Sequence, residues 1–260
     1  MNSARMIALR RIARPLITTG VLIAIWWAFT RISQVPAYLL PGPASVAEAL
    51  WHQRTLLMWN TLTTFNEVAL GLLIGTLLGA ACGLVIVFSP LMQRWLMPIL
   101  LLSQAVPIFA LAPLLVLWFG FGITSKVIVA VLVIFFPVTA SFSDGLRRTD
   151  RGMLDLATTM NASKFSILRH VRLPAALPAF GSGLRVAAAV APIGAIFGEW
   201  VGSSSGLGYM MLNANARIET DVMFAALFVL AIMTVLLWVV VDRGLKKLLY
   251  WVPDTTGAPI

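Results

Sequence analysis

Residues able to do chemistry are few in this sequence and lie far apart. Gly202-Ser203-Ser204-Ser205-Gly206 fits the spacing G-x-S-x-G, in which a serine on a strand-to-helix turn attacks an acyl carbon. Such a serine needs a neighbouring base. The 2 histidines supply none: His52 is expected in a loop, and His170 on the far side of a long apolar run. A glycine-flanked flexible turn accounts for the same five residues. Glu67, Arg185 and Glu199 lie in or beside apolar runs. Ionisable groups there are paired or functional, though each also sits near the end of its run, where an interface can solvate it. Gln104 stands three residues before Pro107 in another apolar run. An amide in that position either lines a path and hydrogen-bonds a solute or bridges two helices. No catalytic set and no metal-ligating set is assigned. Cys82, the single cysteine, reads as a small packing residue.

The elements that must position these residues are set by composition. Hydrophobic residues make up 60% of the chain and charged residues 11%, with a mean hydropathy of +0.92. Soluble domains carry roughly a quarter charged residues. Six apolar segments stand out, at about 16–30, 66–88, 95–119, 125–143, 176–200 and 222–241, against the roughly 20 residues a spanning helix needs. The basic start, MNSARMIALRRIARP, leads into the first segment without an A-x-A-like site, so that segment is expected to be retained as a helix. The net charge of +9 is better explained by loop asymmetry than by nucleic acid. With the N-terminus inside, all but Arg31, Arg54, Lys126 and Arg217 of the 19 Lys and Arg residues fall on the cytoplasmic side. That bias favours six helices with both termini cytoplasmic. The fold class is an all-α membrane protein.

The second segment carries Gly71, Gly75, Gly79 and Gly83, one every fourth residue. This predicts a ridge along which another helix backbone approaches closely. The third is interrupted by Pro98, Pro107 and Pro113. Breaks of this kind are tolerated where protein or water takes up the freed backbone groups. Tryptophans such as Trp200 read as interfacial anchors, with stacking on a flat solute as the other role.

Residues 144–174 form a basic loop between the fourth and fifth segments. They predict two short helices, 153–160 and 163–170, with a turn at Asn161 and Ala162. Asn tolerates the left-handed backbone of a helix C-terminus, and Ser163 is placed to cap the second helix. Leu173-Pro174 is expected to end it. A helical hairpin held outside the bilayer is a natural docking element.

The run Asp155-Leu156-Ala157, then Asn161, then Val171-Arg172-Leu173-Pro174 resembles the E-A-A, G, I-x-L-P loop of permease subunits of binding-protein-dependent ATP-binding cassette (ABC) importers. The spacing agrees throughout. Asp155, Leu156, Asn161 and Val171 replace Glu, Ala, Gly and Ile. The resemblance implies the type I ABC importer permease fold. It also implies that Asp155, Ala157, Asn161, Ala162, Leu173 and Pro174 couple the chain to an ATPase subunit. No G-x-x-x-x-G-K-[ST] occurs, so ATP is expected on that partner, with no cofactor bound by this chain. The further implied partners are an extracytoplasmic substrate-binding protein and a second copy of the chain. The implied setting is the bacterial inner membrane, crossed several times.

Two other strings, 38–43 and 202–209, resemble external loops of the nitrate/sulfonate/taurine branch. The stretches 103–107, 119–120, 198–201 and 223–227 are most similar to permeases for the hydroxymethylpyrimidine precursor of thiamine. That likeness implies a small heteroaromatic cargo, with sulfonate, taurine or nitrate as the alternative. Glu199 offers acceptor oxygens for an exocyclic amine and Trp200 a flat face, unless Glu199 pairs with a neighbouring helix. An ion-coupled secondary transporter is the rival class, since Glu67, Arg185 and Glu199 are also what such a mechanism would use.

Overall fold

The computed structural model describes residues 3–252, with side chains from Ile17 onward. The basic residues Arg5, Arg10, Arg11 and Arg14 therefore lie outside the described side chains. Among the described residues there is no strand. The helices are α1 (Ser3–Ile32), α2 (Pro43–His52), α3 (Arg54–Phe88), α4 (Pro90–Ala105), α5 (Ile108–Phe119), α6 (Ile123–Arg147), α7 (Arg151–Thr159), α8 (Lys164–Ile167), α9 (Leu173–Gly202), α10 (Leu207–Ala216) and α11 (Thr220–Leu248). His52 closes α2 and is not in a loop. It lies 3.7 Å from Glu48, one helical turn away.

Two compact units emerge. The first is drawn from the chain up to Trp59 and from Met210–Val229. In it Trp26 stacks on Phe224 with ring centroids 6.2 Å apart, and Thr220 Oγ1 donates to the Ala37 carbonyl at 2.9 Å. The second runs from Asn60 to Tyr209 and from Leu230 onward. Its core is the middle of α6, packed between α3 and α9: Val68, Ala130, Ile134, Val138, Ala187, Ala191 and Ala195 are fully buried.

Small residues explain this core. In hydrocarbon, helices gain little from leaving lipid for one another, so association rests on close backbone approach and dispersion. The expected glycine ridge of α3 faces α6. A Cβ at Gly71 would come within 2.6 Å of Ala130 Cβ, and one at Gly79 within 2.9 Å of the Phe135 carbonyl. From the other side, a Cβ at Gly194 would fall 2.7 Å from Ala130 Cα. Larger residues at these points would drive the helices apart.

Among the described residues, four helices are long and apolar enough to cross a membrane: α3, α6, the stretch Lys164–Gly202, and α11. The expected third segment is not straight. α4 and α5 meet at 101°, at Val106 and Pro107. Only Pro107 breaks the chain, whereas Pro98 and Pro113 sit inside helices. Counting the bent pair as one span gives five. The apolar part of α1, Ile17–Ile32, is shorter.

Candidate functional site

The hairpin between α6 and α9 begins with Asp150, whose Oδ1 accepts from Gly152 N at 2.6 Å and Met153 N at 3.3 Å and so caps α7. Asn161 takes φ +56°. Ala162 N donates to the Ala157 carbonyl at 3.0 Å and Asn161 N to the Thr158 carbonyl at 2.9 Å. This pair of bonds is a Schellman closure with Asn at the left-handed position. Ala157 and Ala162 thus occupy the two ends of the longer bond. Ser163 Oγ accepts from Ser166 N at 3.2 Å and starts α8.

One expectation is corrected here. Leu173-Pro174 does not end the second helix of the hairpin, because Lys164–Gly202 is continuous. A π-turn, Leu168–Arg172, intervenes. Proline lacks an N–H and crowds the carbonyl four residues back. The wider π-turn immediately ahead of Pro174 relieves that conflict, with Leu173 N bonded to Leu168 O.

Asp155 is exposed on α7 and Ala157 is half-buried. Ala157, Pro174, Met153, Leu156, Met160 and Val171 line a shallow apolar groove of about 450 Å³, which Trp251 also borders. Met153, Leu156 and Met160 are 59%, 62% and 75% exposed. Hydrophobic side chains this open on a basic loop make an exposed apolar patch.

A second cluster lies in the interior. Glu67 and Glu199 are each 1% exposed and Lys126 6%. The ends-of-segment positions of Glu67 and Glu199 do not place them in solvent, contrary to expectation. Lys126 Nζ is 3.7 Å from Glu67 Oε1 and donates to the Phe121 carbonyl at 3.3 Å. The Glu67 carboxyl also lies within interaction range of Glu199. Glu199 Oε1 accepts from Thr64 Oγ1 at 2.6 Å, and Oε2 accepts from Gly208 N at 2.6 Å and Tyr209 N at 3.3 Å. Leu207 N donates to Thr64 Oγ1 at 2.8 Å, and Gly206 N to Asn60 Oδ1 at 2.7 Å. The oxygens of Glu199 are therefore occupied, and the helix-pairing alternative describes this carboxylate.

Trp200 is 43% exposed and meets Phe197 edge-on at 5.7 Å; Phe197 lies 6.4 Å from Phe109. Gln104 is exposed just before the α4–α5 bend, with a 3.4 Å bond to its neighbour Ser103. Arg185 Nε donates to Asp242 Oδ1 at 2.7 Å, and Lys246 stands 3.2 Å from Asp242 Oδ2. Ser203 Oγ is engaged with the carbonyl of Ser205 at 2.5 Å. No group of three or more His, Cys, Asp or Glu among the described residues could hold a metal.

Sequence reasoning missed Asn60, Thr64 and Lys126, and Asp242 as the partner of Arg185. A signal existed for the first two. Asn60, Thr64 and Glu67 recur at helical spacing on the same face as the glycine ridge that follows them.

The chain is 50% identical over 240 residues to a probable ABC transporter permease protein of Haemophilus influenzae, covering 92% of this chain and 98% of that one. It is 35% identical to the formylaminopyrimidine transport permease protein ThiX of Halalkalibacterium halodurans, covering 89% and 92%. It is 32% identical to the taurine transport system permease protein TauC of Escherichia coli, covering 92% and 88%. Among solved structures, an inward-facing form of the MetNI methionine ABC transporter matches with a TM-score of 0.67 at 18% identity, covering 75% of this chain and 97% of that one. The fold is that of type I ABC importer permeases. Residues 71–248 match the family described as binding-protein-dependent transport system inner membrane component, and the chain belongs to that family: it is a multi-pass inner-membrane permease subunit of an ABC importer, a transport subunit and not an enzyme.

Proposed function

We propose that this permease carries a small nitrogen heteroaromatic, of the hydroxymethylpyrimidine type used to build thiamine, inward across the membrane. The observation that carries this reading is the 35% identity, over nearly the full chain, to a permease named for formylaminopyrimidine. The aromatic group Phe109, Phe197 and Trp200 supports it, since Trp200 is 43% exposed and an indole can stack on a ring. Glu199 supplies no free acceptor in this conformation, so recognition by that carboxylate drops out of the proposal. Taurine, sulfonate or nitrate is the second reading, favoured by the 32% identity to a taurine permease.

In this scheme ATP is bound and hydrolysed by a separate subunit that docks on the hairpin groove. A binding protein delivers cargo from outside, and a second copy of the chain completes the pathway. ATP shifts the membrane gate only as far as its affinity differs between the inward- and outward-open states. Six crossings follow if α1 and the bent α4–α5 pair each count as one. Both termini and the hairpin are then cytoplasmic, and 202–221 lies outside.

Two measurements test this. In proteoliposomes with the cognate binding protein and ATPase, labelled hydroxymethylpyrimidine is expected to accumulate only with ATP. ATP-driven uptake of taurine or nitrate, without pyrimidine uptake, would overturn the cargo. An impermeant thiol reagent added outside is expected to label Ser204→Cys and spare Ser163→Cys. The reverse pattern would invert the topology.

A further inference from the structure

The turn between α9 and α10 is held by side chains that come from elsewhere. The first N–H groups of a helix have no partner inside it. A residue at the helix start normally supplies one, through its own side chain. Here four consecutive amides, from Gly206 to Tyr209, donate instead to Asn60, Thr64 and Glu199. Those three side chains are 4%, 0% and 1% exposed. Local capping is blocked: Gly206 has φ +112°, and a Cβ there would land on the Glu199 carboxylate. Thr64 is the pivot, since its hydroxyl accepts from Leu207 N and donates to Glu199 Oε1. Only Ser204 of the turn is exposed, whereas Gly206, Leu207 and Gly208 are buried. Burying these amides and a carboxylate is tolerated only while each keeps its partner, so the turn is fastened to the helices beneath it.

We infer that Asn60, Thr64 and Glu199 are positioning residues for transport: they clamp the 203–209 turn to α3 and α9, so that a binding protein docked on the turn acts on both helices at once. The inference rests on the external placement of this turn. Lys126 stands 3.7 Å from Glu67, which lies three residues along α3 from Thr64.

The permease–ATPase complex in proteoliposomes gives the test. ATP hydrolysis is measured with and without binding protein loaded with hydroxymethylpyrimidine. Thr64→Val removes the shared hydroxyl and keeps the shape; Thr64→Ser keeps the hydroxyl. The expected result is that T64V lowers the stimulation at least about fivefold, the lower range for coupled sites, with basal hydrolysis within about twofold. T64S is expected to behave as the unaltered protein. Full stimulation in T64V, or equal loss in T64S, overturns the inference. Hydrogen exchange on the unaltered complex decides the matter if T64V does not assemble. Amides 206–209 are expected to exchange at least about tenfold more slowly than those of 203–204, with and without a non-hydrolysable ATP analogue. Exchange of 206–209 at the rate of 203–204 in either state overturns it. Absence of stimulation in the unaltered complex would count against the proposed cargo alone, because the exchange measurement is independent of cargo.

Discussion

Replacing Ala157 with arginine is expected to abolish ATP-driven uptake while the permease still folds and inserts. Ala157 borders the apolar groove between α7 and the start of α9. Its carbonyl closes the Schellman turn through Ala162 N, and that bond uses backbone alone. Arginine is nearly as good a helix former as alanine, so the hairpin survives the change. The guanidinium, however, would be carried into an interface lined by Met153, Leu156 and Met160. Burying an unpaired charge in such a contact costs about 3 kcal/mol or more, which is over a hundredfold in affinity. The expected finding is a permease that extracts and elutes normally, fails to retain its ATPase subunit, and transports nothing. Normal copurification with undiminished uptake would remove the groove from the docking surface.

Lys126→Met should be the most damaging change in the interior. The lysine is the cation in a buried set that also holds Glu67 and, nearby, Glu199. Taking one partner from a buried pair leaves a charge that nothing balances, at a cost of about 3–5 kcal/mol. The drop should appear in the thermal midpoint of the detergent-solubilised protein, by about 10 °C on the scale of domains this large. Adding Glu67→Gln should restore a good part of it, because the stranded charge is then gone. A K126M protein as stable as the original, or a double variant worse than K126M, would mean that the pair contributes nothing to holding the helices together.

The sequence made the parts built from local chemistry legible. The turn at Asn161 follows from one residue's tolerance of a left-handed backbone, and the ridge of α3 from a four-residue recurrence of glycine. Both are in the structure, at φ +56° and against Ala130 and Ile134. Proline gave weaker guidance. Three prolines stood in the third segment, yet only Pro107 breaks it, and Pro174 is absorbed by a π-turn. Whether a proline bends or ends a helix depends on what receives the orphaned carbonyl, which neighbours decide. The interior cluster was the least legible. Glu199 could be singled out as an acid at membrane depth, but its side-chain partner Thr64 lies 135 residues away on α3. The polar stripe of Asn60, Thr64 and Glu67 merges into the glycine ridge, so a single face of α3 serves first the clamp and then the packing seam.

The π-turn has a mechanical consequence. By letting helical hydrogen bonding pass through Pro174, it makes Lys164–Gly202 a single element of 39 residues, about 58 Å from end to end at the usual rise. One end begins at the hairpin cap Ser163 and the other ends three residues beyond Glu199. Such an element behaves as a see-saw. A tilt of about 10° around its middle would displace each tip by about 5 Å, in opposite directions. Work done on the hairpin would then arrive at the serine turn as displacement, without any relay of side-chain rearrangements along the way. Its weak points are Pro178 and Pro192, within the same helix, where flexing would dissipate the stroke.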